Sequence, residues 1–300
     1  MFRSISFFVF LIFIISDLTA QNQLSTDTIP FRFTAHNNIV IQSIINQKDT
    51  VNLMFHTASD LLTLTEEATA KMSTLQFNAP DSINSWGGKG KARFSEGNLL
   101  EIGNLKWKNI ELLENKNSGP GTDGKFGLSF FEGRIIEINF NLSVIVLHDV
   151  LPKLEKEYEQ FKLFGSGVFL FLEGKSNIEN VELNHQFLIH TGYGGTILYD
   201  DEFAKEHNLG EQLKTLSEKE LKDAYGNILK VKKSELPFFS IGKTTFEKIP
   251  IGFFEGKIGR QRMSVIGGDL IKRFNLILDK KNSHIYLKTN QLTDSEFSAI

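Results

Sequence analysis

The sequence predicts a mostly β fold written twice along the chain. Three observations carry this. Short apolar runs rich in β-branched and aromatic residues alternate with turn residues, as in Asn38 to Ile44, Val51 to Phe55, Leu105 to Leu112 and Ile135 to Phe140. Asn52 to Ser59 matches Gln186 to Tyr193, 134 residues later, each an apolar strand that ends in His-Thr and a turn. Phe126 to Asn139 matches Ile266 to Asp279, 140 residues later, sharing a hydrophobic-Gly step, a phenylalanine at Phe131 or Phe274, and an apolar strand. The two motifs keep their order in each half, and a further strand follows each copy, ending near Leu147 and Leu287. Two duplicated lobes account for all of this.

Taken in chain order, residues 1–20 read as a signal peptide: Arg3, an apolar run from Phe7 to Ile15, then Ser16 to Ala20 ahead of a polar stretch. The run is shorter than the ~20 residues a membrane span requires, and Asp17 closes it, so export into a periplasm or out of the cell is expected rather than a stable membrane span. A first lobe is assigned to residues 28–150, with a short helix expected from Thr65 to Met72. Residues 151–164, rich in Lys, Glu and Leu with apolar side chains at Leu151, Leu154, Tyr158 and Phe161, have helical spacing and predict a short helical connector. The second lobe is assigned to 165–290, with a helix expected from Glu202 to Asn208.

Composition narrows the function. The 300 residues are 41% hydrophobic, enough for a large core, and the net charge of −3 gives no basic field for nucleic acid. Zero cysteines exclude disulfides, thiolate zinc sites, a cysteine nucleophile and a lipid-modified cysteine. Gly119 to Lys125 imitates a phosphate-binding loop, yet Phe126 stands where Ser or Thr must hold magnesium, so the motif is rejected.

The repeated motifs resemble those of the pepsin-like and retropepsin-like aspartic proteases, in the bilobal form found among exported bacterial proteins. The resemblance spans almost the whole mature chain. In that family each lobe ends a strand in hydrophobic-Asp-Thr-Gly and later threads a hydrophobic-hydrophobic-Gly segment beneath that turn; here the later segments are Lys125-Phe126-Gly127 and Val265-Ile266-Gly267. It implies a two-lobed acid-protease β-barrel fold with a cleft sized for an extended polypeptide. It also implies that Thr57 and Thr191 hydrogen-bond across the lobe interface and support the two loops. The departure is at the aspartates, where the sequence has His56 and His190. Gly192 keeps the family's glycine and Ala58 does not; a left-handed backbone at Ala58 would cost ~1 kcal/mol or more, so a reshaped first loop is expected. The family's flap interval holds Trp86 beside Gly87 and Gly88, and the matching interval of the second lobe holds Tyr225, giving candidate cleft contacts.

Replacing two carboxylates by two imidazoles turns a site with about one negative charge into one that is neutral or positive. Three functions follow. In the first the chain is a pseudoprotease that needs no cofactor, and the cleft binds a peptide or a protein partner. In the second His56 and His190 hold zinc, which imidazole suits, although a third ligand is not evident in the sequence. In the third the imidazoles serve directly as base and acid in a hydrolase acting on peptides or esters. His36, His148, His185, His207 and His284 show no metal-binding spacing, and strand alternation puts His185 on the face opposite His190.

Overall fold

A computed structural model describes residues 26–85, 88–179, 181–224, 226, 228–254 and 261–298. The expected leader at 1–20, Trp86 and Tyr225 lie outside the described residues.

Sheet topology follows the duplication. Seven strands from the first half form one sheet in the order Arg32–Phe33, Ile39–Ile45, Asp49–His56, Gly124–Gly127, Leu62–Thr65, Leu105–Asn115, Phe94–Ile102, and a further pairing of Ile39–Ile45 with Phe94–Ile102 curls it on itself. Eight strands from the second half repeat the plan: Phe164–Ser166, Phe169–Ile178, Val181–His190, Val265–Gly267, Ile197–Leu198, Thr244–Phe253, Ile228–Ile241, Thr215–Lys222, curled by pairing of Phe169–Ile178 with Ile228–Ile241. Alternation explains the first-half strand Ile39–Ile45, where Gln42 and Ile44 face out while Ile41, Ser43 and Ile45 are buried. A third, six-stranded sheet joins the halves. At its centre Ile135–Asn139 and Phe274–Asp279, one strand from each half, run antiparallel with Ile136 opposite Leu278 and Ile138 opposite Leu276. All four of these side chains are fully or nearly fully buried, so the two halves share one core.

Phenylalanine fills the space beneath the first-half motif. Phe55 packs on Phe126 and Phe131 with ring centroids 5.3 and 5.5 Å apart, in tilted arrangements that favour aromatic pairs.

The connector differs from expectation. No helix forms in 151–164; Glu159–Lys162 is a strand on the edge of the shared sheet, paired antiparallel with His284–Thr289. Leu154 and Tyr158 pack against Ile135, Ile277 and Tyr286, so the apolar spacing that suits a helix is satisfied by an extended chain laid on the sheet. A free sheet edge offers backbone hydrogen bonds that a short isolated helix cannot match. The other helices are shorter than expected: Glu66–Thr69, capped by the Thr65 hydroxyl accepting from the Ala68 N–H, and Asp201–Glu206, capped by the Asp200 carboxylate accepting from the Phe203 N–H. No described helix is long and apolar enough to cross a membrane.

Candidate functional site

His56 and His190 end equivalent strands. Asp49–His56 runs parallel to Gly124–Gly127 with His56 opposite Gly127, and Val181–His190 runs parallel to Val265–Gly267 with His190 opposite Gly267. Each histidine opens a tight turn, closed by Ser59 N–H to the His56 carbonyl at 3.2 Å and by Tyr193 N–H to the His190 carbonyl at 3.1 Å. The threaded strand passes so close beneath each turn that only glycine fits. A Cβ at Gly127 would overlap the Ser59 carbonyl and lie 2.7 Å from Asp60 Cα, and one at Gly267 would overlap the carbonyls of Tyr193 and Gly195.

The turns are tied to each other. Thr57 N–H donates to Thr191 Oγ1 at 3.0 Å and Thr191 N–H donates to Thr57 Oγ1 at 3.1 Å. The Thr57 hydroxyl donates to the Ile189 carbonyl and the Thr191 hydroxyl to the Phe55 carbonyl, both at 2.6 Å. Asn38 adds an Nδ2 donation to the Thr191 carbonyl at 3.1 Å. Both threonines are almost fully buried, so removing one hydroxyl strands a donor and an acceptor. Thr57→Val is therefore expected to cost about 2 kcal/mol in urea unfolding, with Thr57→Ser recovering most of it.

This geometry brings the two imidazoles together, with ring centroids 4.6 Å apart and planes at 59°. Burial pushes the His56 pKa well below the ordinary imidazole value, and His190 and Lys125 push it further. Burial, helped by Lys125 and partly offset by the residue's own main chain, lowers His190 to about 4. Two imidazolium ions at such a separation would repel by ~4 kcal/mol at an effective dielectric of 20. At neutral pH the pair is uncharged. Both Nδ1 atoms are buried without a hydrogen-bond partner among the described residues.

Ala58 departs from expectation. Neither Ala58 nor Gly192 has a positive φ, so no left-handed strain falls on either. Gly192 is instead favoured by closeness, since a Cβ there would strike the His56 ring as it stands. Ala58 takes its place among apolar side chains around Leu188 and Val265.

The pair opens on a cavity of about 1040 Å³, lined from both halves. That exceeds the ~300–1,000 Å³ of small-molecule sites and suits an extended segment. Asp81–Ser85 and Gly88–Ala92 form a hairpin closed by Ser85 opposite Gly88, and its Ile83 lines the cavity. On the other side the hairpin of Thr215–Lys222 and Ile228–Ile241 reaches the first half. The N–H groups of Lys116 and Asn117 both donate to the Ala224 carbonyl, at 2.8 and 3.1 Å. His185 lies away from the pair, its Nε2 3.0 Å from both Asp200 Oδ2 and Ser264 Oγ.

No protein-family model matches the sequence, and no curated protein does. Among solved structures, the aspartic proteinase from Irpex lacteus is similar with a TM-score of 0.58, covering 91% of this chain and 100% of that one at 13% identity. The fold is that of a pepsin-like aspartic proteinase. Two features of the cleft on this pepsin-like fold carry little signal in the sequence. One is Lys125, legible only by setting the repeats side by side, where the second half has Val265. The other is the Ala224 bridge, which joins residues remote in sequence and leaves no local mark. No group of three potential metal ligands gathers around the pair among the described residues.

Proposed function

We propose that the chain is an exported aspartic-proteinase homologue that has lost peptide cleavage and uses the interlobe cleft to bind an extended peptide or a segment of a partner protein. The observation that carries this is the His56–His190 pair itself, uncharged and without a partner on either Nδ1. Water activation by a carboxylate pair needs a shared proton and a net negative charge, and this pair supplies neither. An imidazole acting as general base is ordinarily oriented by a carboxylate or carbonyl on its second nitrogen, and the unpartnered Nδ1 atoms argue against a rebuilt acid-base site. Export rests on the leader pattern of residues 1–20.

The test compares the mature chain with a His56→Ala, His190→Ala double variant on a diverse peptide library from about pH 4 to 9, with and without zinc. We expect no cleavage by either protein and no binding of inhibitors that engage an aspartate pair. Cleavage by the parent that the double variant lacks would make this a hydrolase and overturn the reading.

A further inference from the structure

We propose that the cleft floor is a receptor for a carboxylate, in which the Lys125 ammonium and the N–H groups of His56 and His190 seat an acidic side chain or the free C-terminus of the bound peptide. This rests on the peptide-groove reading above and names what the groove selects.

Register puts the three groups together. Lys125 lies opposite Met54 and Gly127 opposite His56 on parallel strands, and with a period of two Met54, His56, Lys125 and Gly127 share the face that looks into the cleft. On the other side Lys125 is opposite Thr63. The second half shows what the same position looks like without a charge: Val265 stands opposite Leu188 and Leu198, an apolar trio where the first half has Lys125, Met54 and Thr63. The lysine is thus a departure from the repeat beside His56.

Its ammonium makes no hydrogen bond or ion pair with a described residue. Burial lowers its pKa, and only the through-space attraction of Asp223, on the opposite wall, works against that. The side chain is half-buried and no described carboxylate is hydrogen-bonded to it, so a ligand carboxylate would add a charge-assisted hydrogen bond that the free protein lacks. The surroundings favour an anion further. Five basic side chains line the cavity against three acidic ones, and one of those three, Asp269, is already held by Lys272 at 2.7 Å. Lys233 on the far wall donates to the Tyr193 hydroxyl at 3.1 Å. Each uncharged imidazole still offers one N–H. A carboxylate set between the lysine and the two rings would accept from all three.

The experiment probes arrays of short random peptides, made in free-acid and amidated forms, with the labelled mature chain, with Lys125→Val, which copies the second half, and with Lys125→Arg. Thermal midpoints of all three confirm that they are folded. We expect bound peptides to be enriched about tenfold in Asp or Glu at one position, or confined to the free-acid array, with the preference lost in Lys125→Val and kept in Lys125→Arg. Enrichment on both arrays identifies a side-chain carboxylate; restriction to the free-acid array identifies the C-terminus. Peptides bound with no acidic preference, or with one that survives Lys125→Val, overturn the carboxylate receptor and leave the groove standing. If no peptide binds, the groove reading falls and this proposal falls with it.

Discussion

The protein should lose stability on acidification, and should begin to do so above the range in which carboxylates titrate. His190 has its pKa lowered to about 4 in the folded chain, and His56 is lowered well below the ordinary value, in both cases chiefly by burial. An unfolded histidine titrates near 6.5. Between about pH 6.5 and 4 the unfolded chain therefore binds protons that the folded chain refuses, and stability falls as the pH falls. The contribution is fully present above pH 6.5; for His190 alone roughly 3 kcal/mol of it is gone by about pH 4. His56 adds to the loss and extends it to lower pH. Asp200, lowered to about 2 with hydrogen bonds from His185, the Phe203 N–H and Ser264 opposing its burial, acts in a separate and more acid window. Urea unfolding at several pH values checks this, with His56→Gln, His190→Gln as the control. A slope between pH 6.5 and 4.5 that the double variant flattens is the expected result; a parent as stable at pH 4.5 as at pH 7 would refute it.

That acid sensitivity also marks where sequence reasoning reached and where it stopped. Duplication made the architecture legible, because two strand-turn motifs at offsets of 134 and 140 residues leave few topologies open, and the alternating strands supplied the sheets. Spacing alone misled at 151–164, since Leu154 and Tyr158 can reach apolar neighbours from a helix or from an extended chain, and the free edge beside His284–Thr289 decided between them. At Ala58 the glycine of the resembled motif suggested a left-handed turn, whereas the constraint in this chain is room for the His56 ring. Of the site, the sequence carries position rather than environment. It places His56 and His190 at matching turns, but burial of both rings, the unpartnered Nδ1 atoms and the neighbouring Lys125 are products of long-range packing. The bridge from Ala224 to Lys116 and Asn117 joins residues more than a hundred positions apart, and no local pattern announces such a contact.

Three glycines should separate fold, site and turn by the kind of atom that a methyl group meets. At Gly127 the added Cβ would overlap the Ser59 carbonyl and crowd Asp60 Cα, all main chain, and main chain of a turn tied across the molecule by Thr57 and Thr191. Nothing flexible can yield. Gly127→Ala should cost more than about 3 kcal/mol and leave little folded protein, the upper range for overpacking. Gly192→Ala meets the His56 imidazole instead, and a side chain can rotate aside. It should fold with a smaller loss while changing the ring signals of His56 in a histidine-resolved NMR spectrum, because the 4.6 Å approach of the two rings cannot survive. Gly133 has φ of +78° and open space around its Cβ direction, so Gly133→Ala should cost only about 1 kcal/mol, the strain of a left-handed alanine. The order Gly127, Gly192, Gly133 in urea midpoints, with the NMR change confined to Gly192→Ala among the folded variants, is the expected outcome. A Gly127→Ala protein as stable as Gly133→Ala would mean that the threaded strand does not press against the His56 turn. The close fit that brings His56 to His190 would then need another cause.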